Sequence, residues 1–383
     1  MHIPTLLTMI EELIAIPSVS CVNPEFDQSN QTIIELLASW CDNLGFTTEI
    51  LPVPEHAGKF NLLATLGHGA QGLVLAGHTD TVPYDEHYWH SNPFQLTEVD
   101  NRLYGLGTAD MKSFFALALT AVSQFKPNTL HRPLTLIATA DEESGMYGAR
   151  ALVKANRPKA QYVVIGEPTQ LRPVRMHKGI FTEAIQVKGI SGHSSYPDKG
   201  NSALEGMYKI IGELLAWRTE IQKQHSNPLF DVPTPTMNLG YIHGGDNPNR
   251  ICETCELHLD LRLLPGMSVT ECRHSLRQRV LNAIVDTGLQ VTFTPLFEGF
   301  EAMETPADAE IIQVAERLSG QQAVIAPYAT EAPYFQALGN QTVVLGPGNV
   351  AQAHQPNEFI NKDFLQPALD IFTQLIQYFC VRN

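Results

Sequence analysis

Leu73-Val74-Leu75-Ala76-Gly77, followed at once by His78-Thr79-Asp80, is the stretch whose reading decides the fold. A short, nearly all-apolar run that ends in polar residues reads as a strand buried on both faces, central in a sheet. Three further runs repeat the plan. Leu134 to Ala140 ends in Asp141-Glu142-Glu143, Val163-Val164-Ile165-Gly166 ends in Glu167, and Val343-Val344-Leu345-Gly346 precedes His354. In an open α/β sheet the carboxyl ends of the strands gather at one crevice, where ligands bind. Four ends rich in acid and imidazole therefore converge.

Working outward, Met1 to Ile16 reads as an amphipathic helix, and Gln28 to Leu44 as a second helix closed by Gly45. Strands are predicted at Phe46 to Val53, Asn61 to Gly67 and Tyr162 to Ile165, and helices at Ser113 to Phe125 and Tyr147 to Ala155. Strands alternating with helices imply an α/β domain with a largely parallel sheet.

The texture changes near His177. Phe181 to Lys188 alternates as a half-buried strand, Ala203 to Gln222 is a long helix, and strands follow at Thr236 to Tyr241 and Ile251 to Leu263. A helix from Val269 to Asp286 and a strand from Gln290 to Pro295 complete a strand-helix-strand-strand-helix-strand order, the ferredoxin-like pattern. This predicts an inserted domain at 177–295 within a discontinuous domain formed by 1–176 and 296–383. The chain returns to the first domain through a helix at Ala307 to Leu318, a strand at Thr342 to Leu345 and a helix at Phe364 to Cys380.

Composition agrees with a globular protein: 383 residues, 44% hydrophobic and 17% charged, exceed what one core usually serves. A net charge of −15 with no Lys/Arg run excludes a nucleic-acid partner. Glu11 and Glu12 and the lack of a basic start set the first residues apart from a signal peptide, and no apolar run reaches the roughly 18 residues of a membrane span. The expectation is a soluble cytoplasmic protein. Six cysteines in so long a chain are no disulfide scaffold, and the Cys252/Cys255 pair lies in an alternating strand with no second CxxC to complete a zinc site.

Imidazole and carboxylates without cysteine suit a catalytic Zn²⁺ site with a position left open for water. Asp80, two residues after His78, can take the ring's second N–H and fix its tautomer. Asp110 follows the glycine-rich turn Gly105-Leu106-Gly107-Thr108-Ala109 at the head of an apolar helix, where alone it would read as a cap. Of the adjacent Glu142 and Glu143, one can bind metal while the other stays free as a general base.

At these residues the chain resembles the family of di-zinc aminoacylases, carboxypeptidases and N-acyl-diamine deacylases. The matching stretches run in order: Gly77 to Pro83, Tyr104 to Lys112, Thr139 to Ser144, Gly166 to Thr169, Ser191-Gly192-His193-Ser194-Ser195, and Ala353-His354-Gln355-Pro356-Asn357-Glu358. The resemblance implies a zinc-peptidase-like catalytic domain with an inserted dimerisation or lid domain. It also implies two Zn²⁺ per subunit, for which Co²⁺ accepts the same ligands. Asp110 would bridge the ions, His78 and Glu167 completing one and Glu143 and His354 the other. Glu142 would be the general base, Asp80 the carboxylate that orients His78, and His193 an oxyanion-stabilising imidazole from a partner subunit in a homodimer. None of the first seven positions departs from the pattern, whereas a non-catalytic homologue would be expected to lack Glu142 or Asp110.

Further stretches, Lys59 to Ala64, Gly244 to Cys252, Ala329 to Tyr334 and Leu345 to Gly348, narrow the implied substrate to a small N-acyl amino acid, N2-acetyl-L-ornithine. Succinyl-diaminopimelate or a broader range of N-acyl amino acids are the alternatives. Asn249, Arg250, Arg262 and Glu331 are the substrate-binding candidates. A guanidinium at Arg250 or Arg262 matches an α-carboxylate in a two-pronged fashion, and Glu331 could face a cationic side-chain end.

Overall fold

The computed structural model describes residues 3–381 and divides into two compact units. The first takes the chain up to Arg175, Thr305–Val324 and Thr330 onward; the second takes Met176–Glu304 and Ile325–Ala329.

In the first unit the strands Thr47–Pro52, Phe60–Leu66, Leu134–Thr139, Leu73–His78, Tyr162–Ile165 and Gln341–Val344 lie side by side in that order. The last four are parallel and the first two antiparallel to their neighbours, so the sheet is mixed with a parallel centre. Leu73–His78, Leu134–Thr139 and Tyr162–Ile165 are buried along their whole length, as their largely apolar sequences favour. Helices Lys112–Val122 and Leu365–Ile376 join them in one core with Leu6–Ile14 and Gln31–Leu44. Phe114, Phe115 and Phe372 are almost wholly removed from water there, each a gain of about 1.5–3 kcal/mol relative to exposure. Gly45 ends the second helix with a left-handed φ of 89°, the predicted cap.

Register aligns the strand ends. His78 pairs with Thr139, Ala76 with Ile165 and Val344 with Ile165, so the residues that follow emerge along one edge. Gly346 lets these loops close up, since a Cβ there would lie 2.1 Å from the Gly166 carbonyl oxygen. A small second sheet in this unit pairs Phe359–Asn361 with Arg102–Tyr104, and Arg102–Tyr104 with Thr97–Val99. Sequence periodicity missed these strands because three residues are too few to show alternation.

The second unit is a four-stranded antiparallel sheet in the order Thr236–Gly244, Thr254–Leu263, Gly179–Lys188, Gln290–Phe300, with helices Ala203–Gln224 and Val269–Ala283. Both helices begin with Ser-x-x-Glu. The Ser202 and Ser268 hydroxyls accept from the N–H groups of Glu205 and Glu271. Glu183, wholly buried on the central strand, is held by Arg273 Nε at 2.9 Å and Arg277 Nε at 2.9 Å. The predicted boundary at 295/296 falls inside the last strand, which continues to Phe300 through a register irregularity between Pro295 and Phe297. That strand is at the sheet edge, where a proline costs no ladder hydrogen bond. Cys252 precedes its strand, and Cys255 is buried within it.

Candidate metal centre

His78 is the last residue of its strand and is buried. Its Nδ1 lies 3.0 Å from the Asp80 main-chain oxygen, so Nδ1 carries a proton. The expectation for Asp80 was that its carboxylate would orient the ring. Its Oδ1 is instead 3.8 Å away, and its Oδ2 accepts the Glu143 N–H at 3.1 Å. The main chain is nearer because residue i+2 after a strand end turns its carbonyl back onto the ring. Asp80 thus braces both His78 and the turn bearing Glu143.

With Nδ1 protonated, a neutral His78 aims the lone pair of Nε2 at Asp110 Oδ1, 3.1 Å away, with Glu167 Oε1 at 3.9 Å. Two acceptors face each other unless a proton or another cation lies between them. On the other side, Asp110 Oδ2 is 3.7 Å from His354 Nε2, which lies 2.9 Å from Glu143 Oε2. Asp110 therefore turns one oxygen to His78 and Glu167 and the other to His354 and Glu143. Ligand atoms of His78, Asp110 and Glu143 all fall within 4.8 Å of one another.

Local chain geometry sets these side chains. Gly107 has a φ of +87°, and a Cβ there would lie 2.9 Å from Lys112 Cδ, so only glycine suits the turn before Asp110. Asp141 is left-handed at φ 63°, and its carbonyl accepts from Gly145 and Met146 N–H, closing the turn that presents Glu142 and Glu143. Ser20 Oγ donates to Asp141 Oδ1 at 2.5 Å. His354 is also left-handed, at φ 58°. Its side chain is 55% exposed, which leaves this side of the cluster open to solvent.

The electrostatics are those of a site short of positive charge. Burial, then the charges of Glu167 and Glu143, push the Glu142 carboxyl well above its usual range against the pull of His78. Glu167 is driven the same way by burial and by Asp110, and Glu143 by burial against its bond from His354. Burial alone would lower the His78 imidazolium, but Asp110, Glu167 and Asp80 hold it well above the ordinary histidine value. His354 rises to about 9, chiefly through its hydrogen bond to Glu143. Among the described residues the ion pairs of Asp110, Glu143 and Glu167 are with these two histidines. Oxygen and imidazole donors without thiolate, gathered in one cluster, are the donor set of a divalent-cation site.

Of the substrate-binding candidates, Glu331 belongs to the first unit and Asn249, Arg250 and Arg262 to the second. Glu331, at the head of a short helix, is wholly buried; its Oε2 accepts from Thr139 Oγ1 at 2.8 Å, and its Oε1 has no hydrogen-bond partner among the described residues. Burial pushes its carboxyl up to about 7 against the attraction of His78 and the Thr139 bond. In the second unit, His193 and Arg250 form a backbone bridge, and the Asn249 carbonyl accepts the Ser194 N–H at 3.0 Å. Arg250 pairs with Asp246, and Arg262 Nε with Asp260 Oδ1 at 3.0 Å. His193 is exposed, and its Nδ1 accepts from the Ser195 N–H at 3.2 Å. That places the neutral ring's proton on Nε2, which is then a donor. Sequence reasoning passed over Lys112, wholly buried beside Asp110 with Nζ on the Ile16 carbonyl at 2.8 Å. A lysine at the head of an otherwise apolar helix was its one signal.

The sequence profile of peptidase family M20/M25/M40 matches residues 74–378. The chain belongs to that family. It is 47% identical over 378 residues to the acetylornithine deacetylase of Pasteurella multocida, covering 99% of each chain. Among solved structures it is similar to the aminopeptidase PepT of Bacillus cereus, with a TM-score of 0.76, 20% identity and 97% of each chain covered. It is also similar to the YXEP protein of Bacillus subtilis, described as a dinuclear metal-binding peptidase of the M20 family, with a TM-score of 0.64, 16% identity, and 97% and 96% of the two chains covered. At those identities the structures speak for the fold: a mixed α/β sheet domain accompanied by a separate antiparallel sheet. Among the described residues no helix is long and apolar enough to cross a membrane.

Proposed function

We propose that this chain is a two-metal amidohydrolase that cleaves N2-acetyl-L-ornithine to L-ornithine and acetate, a step of arginine biosynthesis carried out in the cytoplasm. The observation that carries the chemistry is the two-sided setting of Asp110, one oxygen toward His78 and Glu167 and the other toward His354 and Glu143. Relatives of 47% identity that bear the name acetylornithine deacetylase support the substrate. Two Zn²⁺ per subunit are the assigned ions, with Co²⁺ able to replace them.

Bound at such a centre, the metal ions supply Lewis-acid polarisation of the amide carbonyl and lower the pKa of a water toward about 7. Glu142 then does the proton work. Its turn carries it beside the ligands, no ion pair engages it among the described residues, and burial with neighbouring acids raises its carboxyl, which strengthens it as the acceptor of the attacking water's proton. The same carboxyl returns that proton to the leaving amine nitrogen.

The test is a panel of acetyl-ornithine, succinyl-diaminopimelate and acetyl-methionine against metal-depleted and reconstituted enzyme. Highest kcat/KM for acetyl-ornithine, present only after reconstitution, is the expected result. Higher kcat/KM for either other amide reassigns the substrate. Arg250 or Arg262, with Asn249, would receive the α-carboxylate, and the unpaired Oε1 of Glu331 is the atom that would meet the cationic end. Glu331→Gln should accordingly reduce the preference for acetyl-ornithine over acetyl-norvaline; an unchanged ratio removes Glu331 from substrate recognition.

The enzyme would work as a homodimer, His193 of one subunit donating from Nε2 to the oxyanion formed in the other. His193→Ala should lower kcat by about 10²–10³-fold with metal content intact. Mixing inactive His193→Ala and Glu142→Ala subunits should restore partial activity in heterodimers. Subunit exchange without recovery would show that the imidazole does not act across an interface.

A further inference from the structure

Glu358, four residues beyond His354, is 2% exposed; the buried Lys112 ammonium attracts it, but among the described residues no cationic side chain pairs with it directly. Its carboxylate is satisfied by main chain. Gly107 N–H donates to Oε2 at 2.9 Å, Ala109 N–H to Oε1 at 2.7 Å, and Asp110 N–H to Oε1 at 3.0 Å. The Glu358 carbonyl in turn accepts from Gly105 N–H at 3.1 Å. The turn that carries Asp110 is thus wrapped around one buried side chain.

The setting is built on both sides. Directly after Glu358, the strand Phe359–Asn361 pairs with Arg102–Tyr104, Phe359 opposite Tyr104, so the ladder stops where the carboxylate contacts begin. Within the turn, Lys112 N–H donates to the Gly107 carbonyl at 2.9 Å and Thr108 Oγ1 to the Gly105 carbonyl at 2.7 Å. None of these local bonds engages the N–H groups of Gly107, Ala109 and Asp110, which converge on Glu358. A carboxylate suits three converging donors because it offers about four acceptor sites and no donor, whereas an amide would turn an NH₂ toward one of them.

We propose that Glu358 is a positioning residue of the metal centre: its carboxylate fixes the main chain of Gly107–Asp110, and so the two-sided aim of Asp110, in register with the segment that carries His354. The proposal rests on the reading of Asp110 as the bridge between two ions. Main-chain hydrogen bonds at Asp110 constrain where its Cα–Cβ bond points, and the short aspartate arm leaves little freedom to correct an error. Loss of a partner that orients a metal ligand typically costs about 10–100-fold in metal affinity.

The test compares Co²⁺ titrations of the full chain as wild type, Glu358→Gln, Glu358→Asp and Asp110→Ala, each followed by the visible d–d absorption of bound Co²⁺ and by calorimetry. Glu358→Gln keeps an oxygen for Ala109 and Asp110 N–H but sets an NH₂ against Gly107 N–H. It is expected to bind Co²⁺ about 10–100-fold more weakly and to shift the absorption band, with circular dichroism unchanged. Glu358→Asp keeps the carboxyl group on a shorter arm and should show the same change; it serves as the deciding variant if Glu358→Gln does not fold. Unaltered affinity and spectrum in the folded variant, alongside loss of Co²⁺ in Asp110→Ala, overturn the positioning role alone. Full Co²⁺ binding by Asp110→Ala overturns the bridge and the positioning role with it.

Discussion

Glu142→Ala is expected to lower kcat by about 10²–10⁴-fold while both metal ions stay bound. The closest charge contacts of the cluster run among His78, Asp110, Glu143, Glu167 and His354, and Glu142 makes none of these ion pairs. What it has is placement beside them and a carboxyl pushed up by burial and by the charges of Glu167 and Glu143. On the proposed reading, removing it takes away the proton carrier and leaves the ligands. Metal analysis by mass spectrometry together with steady-state kinetics decides the matter: a variant that loses stoichiometric metal makes Glu142 a ligand, and one that keeps its turnover leaves the proton to another group. KM should change far less than kcat, since the proton moves only in the transition state.

Asp110→Ala should lose affinity for both ions as well as activity. The two-sided geometry is the reason, because the same carboxylate is 3.1 Å from one histidine and 3.7 Å from the other. If Asp110 is a direct ligand shared by two ions, as proposed, its loss should cost each of them more than the about 10–100-fold typical of an outer orienting partner. The remaining carboxylates cannot substitute: Glu143 is engaged with His354, and Glu167 lies on the His78 side. Calorimetric titration of apoenzyme gives the affinities directly. Two ions still bound at wild-type strength would remove Asp110 from the bridge.

Much of the fold was legible because its signals are local. Tyr162–Ile165 has the predicted ends, since a short apolar run bounded by turn residues leaves no other length. Helix Ala203–Gln224 starts at its Ser-x-x-Glu signature. Errors arose where the deciding contact is distant. The strand Gln290–Phe300 runs past Pro295 because its edge position removes the penalty, and edge position is a property of the sheet. The strands of the small sheet are held by pairing between Phe359–Asn361 and Arg102–Tyr104, far apart in the chain.

The same division runs through the site. Sequence by itself determined the inventory: imidazole and carboxylates at the ends of buried strands, a glycine turn before Asp110, and adjacent acids at Glu142 and Glu143. Those are consequences of periodicity and turn chemistry, which act over a few residues. Only the tertiary structure decided that His78 is oriented by the Asp80 main chain, that Glu331 is wholly buried on Thr139, and that Asp110 divides its two oxygens between histidines. The hold of Glu358 on Asp110 spans 248 residues. Such a contact exists only once sheet register has brought both segments to one edge, and register depends on pairing among distant strands, which no local pattern encodes.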